Sequence, residues 1–239
     1  MKIFVVGNPK GGAGKTHAAM LLAEVLHHMG LVGFVIDGDR QKSAFKWEAR
    51  GGSLPRFPVR VEQCADVDRM TLVEWLDQRW WLDNEKREDK VDYVIIDTRP
   101  DLNDVMLQSA LEIADTLIIP VVPEVVFIEA LEPFMPVIKK ANELRAEAEF
   151  PPIDARVLVT RLKANDADAK KILAELPPTV ELCRNKFGID LKIMDNVFKE
   201  STYVRRASNY KTGLFSLGKS QPVRAVQDNL REIYLELVQ

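Results

Sequence analysis

Short apolar runs alternate with longer amphipathic stretches along almost the whole chain. The short runs are rich in β-branched residues and end at polar or turn-forming positions, a pattern typical of β-strands. The predicted strands are Ile3–Gly7, Gly33–Asp37, Val91–Asp97, Thr116–Val122, Ala155–Thr160 and Ile189–Met194. Residues 94–96 and 117–119 are continuously apolar. This favours parallel strands that are covered on both faces.

The amphipathic stretches between these runs predict helices. Thr16–Met29 carries apolar residues at helical spacing and is followed by Gly30, a residue that commonly ends helices. Further helices are predicted at Ser43–Arg50, Met70–Leu82, Asp104–Ala114, Glu129–Glu147, Ala167–Glu175 and Val223–Val238. We interpret the proline pairs at 151–152 and 177–178 as breaks between elements. The alternation predicts one α/β domain over residues 1–239, with a doubly wound, mostly parallel twisted sheet flanked by helices on both faces.

The composition narrows the possible classes of protein. Of the 239 residues, 46% are hydrophobic and 29% are charged, and the net charge is −3. Neither a disordered chain nor a uniformly basic nucleic-acid coat is therefore expected. Cys64 and Cys183 are too far apart for a zinc knuckle and the three histidines lack metal-ligand spacing, so we expect no His or Cys metal site. No apolar segment approaches the ~20 residues of a membrane span, and a cytoplasmic protein is expected.

A glycine-rich segment lies between the first predicted strand and the first predicted helix. Residues 7–16 read Gly-Asn-Pro-Lys-Gly-Gly-Ala-Gly-Lys-Thr. The glycines let successive backbone amides turn toward a phosphate, and the helix N-terminus adds partial positive charge. Lys15 is suited to neutralise the β- and γ-phosphates, and Thr16 offers a hydroxyl to magnesium. The usual glycine six residues before the lysine is Pro9, so the loop departs from the standard Walker A pattern.

Three motifs together resemble the ParA/MinD-type ATPases, in particular the ParA-like partition ATPases. Residues 10–16 are similar to the deviant Walker A motif of that family, and residues 37–43 are similar to its Asp-x-Asp-Pro-Gln segment. Residues 94–100 resemble its Walker B strand and switch. The resemblance covers roughly residues 1–130, with weaker similarity at 189–213. It implies a P-loop NTPase fold with ATP and Mg²⁺ as cofactors.

The same resemblance implies roles for three carboxylates at predicted strand ends. Asp97 would hold a magnesium-bound water, Asp39 would orient the attacking water, and Asp37 would help around the magnesium. For Asp37 the capping of a turn is an alternative, since strand-end carboxylates often do this. The implied catalytic residues are Lys10, Lys15 and Asp39, and the implied metal site is Thr16, Asp37 and Asp97. The implied nucleotide contacts are Lys10, Gly11, Gly12, Ala13, Gly14, Lys15, Thr16 and His17.

Lys10 is a second lysine inside the glycine-rich loop. The resemblance implies that it reaches across an ATP-dependent homodimer to the partner's nucleotide, like an arginine finger supplied in trans. The alternative is an exposed loop lysine. The chain also departs from the family, since Arg40 replaces a usual proline and His17 a common second threonine. Thr160-Arg161 stands where an asparagine is frequent, so the adenine contacts are not assigned.

Positive charge is concentrated near the C-terminus. Residues 184–224 hold nine Lys/Arg and three acidic residues, a net +6, whereas the rest of the chain carries 24 − 33 = −9. This separation fits a face that binds DNA phosphates without reading bases, as in ParA-like proteins. A solvated charged face is the alternative. The candidate DNA-binding residues are Arg205, Arg206, Lys211 and Lys219. The last helix is acidic, so no membrane partner is expected.

These observations predict a ParA-like, magnesium-dependent ATPase whose ATP-bound dimer binds DNA non-specifically and positions a plasmid or chromosomal locus. A ParB-type adaptor is the partner that the resemblance implies, and association with the nucleoid follows if DNA is bound. One alternative is an ATPase with the same ATP-dependent dimerisation that serves conjugative transfer or positions a protein cluster. Another is a metabolic P-loop kinase or synthetase.

Overall fold

In the part of the chain that the structure describes, seven parallel strands form one sheet, in the order β3-β2-β4-β1-β5-β6-β7. The computed structural model describes residues 1–49, 54–64, 72–76, 91–163 and 166–238. The strands are β1 Lys2–Val6, β2 Gly33–Asp37, β3 Arg60–Gln63, β4 Tyr93–Asp97, β5 Thr116–Val121, β6 Asp154–Val159 and β7 Leu191–Ile193. The central strand β1 pairs with β4 on one side and with β5 on the other. The predicted fold class, a doubly wound α/β sheet, is confirmed.

Helices cover both faces of this sheet. Those in the described residues are α1 Lys15–His28, α2 Ser43–Ala49, α3 Leu72–Leu76, α4 Val105–Ile113, α5 Val125–Glu129, α6 Leu131–Glu147, α7 Ala167–Leu173, α8 Leu176–Phe187, α9 Thr202–Tyr210 and α10 Gln221–Val238. One core lies under α3, α4, α6 and α8, and the other under α1, α2 and α10. Successive side chains of β1 point to opposite faces of the sheet. Ile3 and Val5 therefore pack in the first core, and Phe4 and Val6 pack in the second.

Several predicted elements need correction. The strand β3 was not predicted, because only Val61 of its four residues is buried and its pattern is short. The proline pair 177–178 does not break the chain but lies in the first turn of α8, where a missing N–H costs little. The helix α9 was also missed, since Ala207 is its one buried residue and most of its other residues are polar. The predicted Glu129–Glu147 helix corresponds to α6, Leu131–Glu147, with Pro136 inside it, whereas the short helix α5, Val125–Glu129, was not predicted.

Of the predicted Met70–Leu82 helix, only Leu72–Leu76 is described, and Trp75 within it is buried. Arg50, at the end of the predicted second helix, lies outside the described residues. Within the described ranges, none of the helices has both the length and the apolar character needed to cross a membrane.

A buried carboxylate ties α1 to the segment that precedes α10. Glu24 is fully buried, and its two oxygens accept the backbone N–H groups of Leu214 and Phe215, each at 2.8 Å. These residues open a 3₁₀ turn, Leu214–Leu217. Burial raises the pKa of Glu24 to about 7, while the two backbone hydrogen bonds oppose the shift. This contact therefore makes the stability of the fold dependent on pH.

The free energy of unfolding should fall as the pH rises from about 4.5 to about 7, because in this range folded Glu24 holds its proton and unfolded Glu24 does not. The loss is at most ~1.4 kcal/mol for each pH unit. Glu24→Gln removes this titration. The stability of the variant relative to the wild type should therefore improve as the pH rises through this range. Urea unfolding of both proteins across the range measures the difference, and equal pH dependence would contradict the assignment.

Candidate nucleotide site

The conformation of the loop between β1 and α1 is set by a buried asparagine and by two glycines in the left-handed region. Gly12 and Gly14 have φ of +86° and +87°, a region that glycine enters without strain. Asn8 is buried; its Nδ2 donates to Pro120 O at 2.7 Å, and its Oδ1 accepts the Lys10 N–H at 2.7 Å. The loop is thus fixed to the end of β5. Such a fixed loop can bind an anion through its backbone amides without much reordering.

Lys15 lies buried within this loop. Its Nζ donates to the carbonyl oxygens of Asn8 and Lys10, each at 3.1 Å. Burial lowers the pKa of Lys15, while the nearby carboxylates of Asp97 and Asp39 act in the opposite direction. The ammonium group is therefore bonded to neutral carbonyls, and these can be exchanged for phosphate oxygens.

Thr16 and Asp97 meet at the carboxyl edge of the sheet. The Thr16 hydroxyl donates to Asp97 Oδ2 at 2.7 Å. The other carboxylate oxygen, Oδ1, is buried and has no hydrogen-bond partner among the described residues. Burial raises the pKa of Asp97 to about 7; the charges of Asp37 and Asp39 add to this, and the Thr16 hydrogen bond and the Lys15 charge oppose it.

These two side chains fit a magnesium ion that is also held by a nucleotide. Within the described ranges, no group of three or more His, Cys, Asp or Glu side chains could hold a metal ion by itself. Mg²⁺ next to a nucleotide needs fewer protein ligands, since phosphate oxygens and waters complete its shell. The Thr16 hydroxyl and the buried Oδ1 of Asp97 supply the oxygen atoms that this role requires.

Asp37 and Asp39, at the end of β2, have different surroundings. Asp37 is fully buried; its Oδ1 accepts the Asp39 N–H at 3.0 Å and its Oδ2 accepts the Phe45 N–H at 2.8 Å. It caps the loop in the way that the turn-capping alternative describes. Asp39 is half-buried, lines the cleft above the glycine-rich loop, and accepts the Gln41 N–H at 2.9 Å.

Two adjoining cavities lie beside the N-terminal part of α1. The larger, about 460 Å³, lies over residues 11–17 of the loop and is also lined by Asp39, Lys46, Arg161 and Lys211. The smaller, about 330 Å³, is mostly apolar, and its walls include Leu21 and Phe198. Arg161 lines both cavities. A charged cleft beside an apolar pocket matches the two parts of a nucleotide, the phosphates and the base.

The sequence did not indicate that Trp47 and Lys211 belong to this site. Trp47 is buried, its Nε1 donates to Thr212 O at 3.0 Å, and its ring meets that of His17 at a centroid distance of 5.3 Å. Lys211 Nζ lies 6.0 Å from the centroid of the Trp47 ring. Lys211, a predicted DNA-binding residue, thus lies in the wall of the cleft. The sequence gives no signal for these contacts, since α2 and the end of α9 are distant along the chain.

The other predicted DNA-binding residues lie at the surface. Arg205, Arg206 and Lys219 are exposed. Arg205 also lines the smaller cavity, and the Arg206 guanidinium lies 5.7 Å from the centroid of the Tyr210 ring. The first two are adjacent on α9, whereas Lys219 precedes α10.

Lys15 and Thr16 open helix α1 after the central parallel strand β1, and they face Asp97 at the end of the neighbouring strand β4. This arrangement places the chain among the P-loop NTPases. Comparison with known sequences then gives the family. A sequence model of the family described as ATPase MipZ matches residues 2–176, and the chain belongs to this family. The ParA/MinD-type resemblance of the motifs is thereby confirmed.

Individual relatives agree with this assignment. The chain is 28% identical over 124 residues to Protein ParA of Rhizobium radiobacter, covering 52% of this chain and 50% of that protein. It is 30% identical over 122 residues to maintenance of carboxysome distribution protein A of Gloeobacter kilaueensis, covering 51% and 50%. The match thus spans about half the length of these curated relatives.

A solved structure shows the same fold over nearly the full length. It is that of a protein described as a plasmid partition protein of Borrelia burgdorferi B31, bound to AMPPNP. The TM-score is 0.65 at 20% sequence identity, and the match covers 98% of each chain.

Proposed function

We propose that this chain is a magnesium-dependent ATPase of the partitioning and positioning type. The observation that carries the proposal is the junction of the loop with β4, where the Thr16 hydroxyl donates to Asp97 beside the buried Lys15. The second carboxylate oxygen of Asp97 is buried there and has no partner among the residues that the structure describes. The family name and the AMPPNP bound to the Borrelia protein support ATP as the nucleotide.

Each residue has a distinct part in the proposed reaction. The loop amides and Lys15 bind and neutralise the β- and γ-phosphates, and Thr16 and Asp97 hold the magnesium, which supplies further charge neutralisation when it is bound. Asp39 orients the water that attacks the γ-phosphate. Asp37 contributes through the loop that it caps, since both of its oxygens already accept backbone N–H groups.

The hydrolysis cycle controls assembly in this proposal. ATP joins two copies of the chain, with Lys10 of each reaching the nucleotide of the other, and the paired chains bind DNA through the exposed arginines of α9. An adaptor of the ParB type links the dimer to its cargo. The relatives of this chain support two kinds of cargo, since the Borrelia protein is described as a plasmid partition protein and another relative is named for carboxysome distribution.

DNA binding should require ATP with magnesium and should weaken steeply with salt. Replacing Arg205 and Arg206 by alanine should reduce the affinity at least ~10-fold and lower the salt slope by roughly two. Fluorescence polarisation of a labelled mixed-sequence duplex, with ATP, with ADP and without nucleotide, measures both quantities at several salt concentrations.

The matched control is Lys170→Ala with Lys171→Ala, which removes two exposed positive charges from α7. It should leave DNA affinity and salt slope close to those of the wild type. Binding that is absent under every condition would overturn the DNA-binding part and favour a protein cargo. ATP turnover that depends on a small molecule instead of DNA would favour the kinase or synthetase alternative.

A further inference from the structure

Arg99 joins two loops that border the phosphate cleft. One loop, residues 38–42, follows β2 and carries Asp39; the other, residues 98–104, follows β4 and leads to α4. The Arg99 side chain is largely buried between them. Its Nε donates to the Gly38 carbonyl oxygen at 2.8 Å, and its Nη1 lies 3.3 Å from Asp104 Oδ1.

The peptide unit between Gly38 and Asp39 is held at both ends. Its carbonyl oxygen accepts the hydrogen bond from Arg99, and its N–H donates to Asp37 Oδ1 at 3.0 Å. The preceding N–H, that of Gly38, donates to the Asp97 carbonyl oxygen at 2.9 Å. Because a peptide unit is planar, these hydrogen bonds fix its orientation, and the Asp39 carbonyl oxygen, which accepts the Lys42 N–H at 2.9 Å, holds the next peptide unit. With both neighbouring peptide units held, the direction in which the Asp39 side chain leaves the backbone is fixed.

Gly38 fits tightly between the same two loops. A Cβ atom at this position would lie 1.8 Å from Met106 Sδ and 3.1 Å from the Asp97 carbonyl oxygen. Met106 is in the first turn of α4, two residues after Asp104. The β2 loop therefore packs directly on the start of α4, and a shift of one loop must displace the other.

Asp104 orients the guanidinium. It is buried, and burial raises its pKa while the charge of Arg99 lowers it. A guanidinium can serve a carbonyl oxygen and a carboxylate at once, because its N–H donors lie in a rigid plane. Arg99 uses two different nitrogens for these two acceptors, whereas lysine has one nitrogen and cannot place donors at both positions.

We propose that Arg99 is a positioning residue for ATP hydrolysis, which together with Asp104 holds the Gly38–Asp39 peptide so that Asp39 faces the phosphate cleft. This inference rests on the proposed ATPase function. The groups proposed to bind phosphate and magnesium, Lys15 and Thr16, belong to the segment after β1, where Lys15 is bonded to loop carbonyl oxygens and Thr16 to Asp97. Loss of Arg99 should therefore slow turnover while nucleotide binding persists.

The test compares Arg99→Ala and Arg99→Lys with the wild type. Displacing a reacting group by about 1 Å can cost ~100-fold in rate, so kcat of Arg99→Ala should fall roughly 10- to 100-fold. The Kd for a fluorescent ADP analogue should change less than about threefold, since each factor of ten needs ~1.4 kcal/mol of lost contact. Arg99→Lys should retain the charge but recover little of kcat.

Arg156→Ala is the matched control. Arg156 pairs with Asp154 at 2.7 Å, and its side chain is 13% exposed, against 14% for Arg99. It lies on β6, outside both cavities. This variant should lose stability and keep kcat, which separates the loss of a partly buried ion pair from the loss of positioning.

The outcomes separate the two proposals. A wild-type chain that does not hydrolyse ATP with magnesium contradicts the proposed function. If the wild type hydrolyses ATP and Arg99→Ala keeps kcat, or loses nucleotide affinity in parallel with kcat, the positioning role is wrong while the ATPase assignment stands. Thermal melting shows whether Arg99→Ala folds; should it not, the kcat-to-Kd comparison for Arg99→Lys decides.

Discussion

Lys15→Ala should weaken the binding of ATP with magnesium by at least ~100-fold and bring hydrolysis below detection. The reason is the loss of charge-assisted hydrogen bonds to phosphate, each contributing ~1.5–3 kcal/mol, where 1.4 kcal/mol corresponds to a factor of ten. Lys15 is buried in the loop, and its Nζ already has the loop carbonyls of Asn8 and Lys10 within 3.1 Å. Isothermal titration calorimetry gives the Kd, and phosphate release gives the rate.

Lys2→Ala is the control for this measurement. Lys2 begins the same strand, β1, and its Nζ also donates to a backbone carbonyl oxygen, that of Leu237, at 3.3 Å. It lies at the opposite end of the strand from the loop, so the affinity for nucleotide should stay near the wild-type value. Unchanged ATP affinity in Lys15→Ala would place the phosphate site elsewhere and would overturn the proposed function.

The loop and its flanks could be predicted from the sequence because every part of them is local. Strand β1, the glycines and helix α1 follow one another along the chain, and the spacing of Lys15 and Thr16 is set by the motif itself. The position of Asp97 followed from topology, since the carboxyl ends of parallel strands lie at one edge of the sheet. The structure brings Thr16 and Asp97 within 2.7 Å.

Other features depend on contacts between distant segments, which the pattern does not encode. The hydrogen bond from Trp47 to Thr212 places Lys211 in the cleft, and the one from Arg99 to Gly38 joins the two loops. The bonded residues are 165 and 61 positions apart along the chain, and no sequence pattern predicts contacts over such separations. The short strand β3 and the polar helix α9 were missed for a different reason, since each has only one buried residue and few apolar positions from which a pattern could be recognised.

Lys10 differs from Lys15 in the way the loop presents it. Its backbone N–H is bonded to Asn8 Oδ1 and its carbonyl oxygen accepts from Lys15, but its side chain is exposed. A fixed backbone with an exposed ammonium group suits a residue that acts on a second molecule. An exposed loop lysine without such a role is the alternative, and the two differ in their effect on hydrolysis.

Lys10→Ala should bind ATP with nearly wild-type affinity and lose hydrolysis, because the residue supplies charge to the nucleotide of the partner chain; a cation of this kind contributes 10³–10⁵ in kcat in related systems. The rate per chain should rise with protein concentration in the wild type and stay low in the variant. A variant that hydrolyses ATP at the wild-type rate would overturn the proposal.

Mixing two inactive variants tests whether Lys10 acts across the dimer. Asp39→Ala should bind ATP and retain Lys10, yet lack the residue proposed to orient water, while Lys10→Ala retains Asp39. In a mixed dimer, the site on the Lys10→Ala chain has its own Asp39 and receives Lys10 from the other chain. An equal mixture should recover roughly a quarter of the wild-type rate, because half of the dimers are mixed and each has one complete site. If Lys10 acts within its own chain, neither variant has a complete site, and the mixture should stay as inactive as its components.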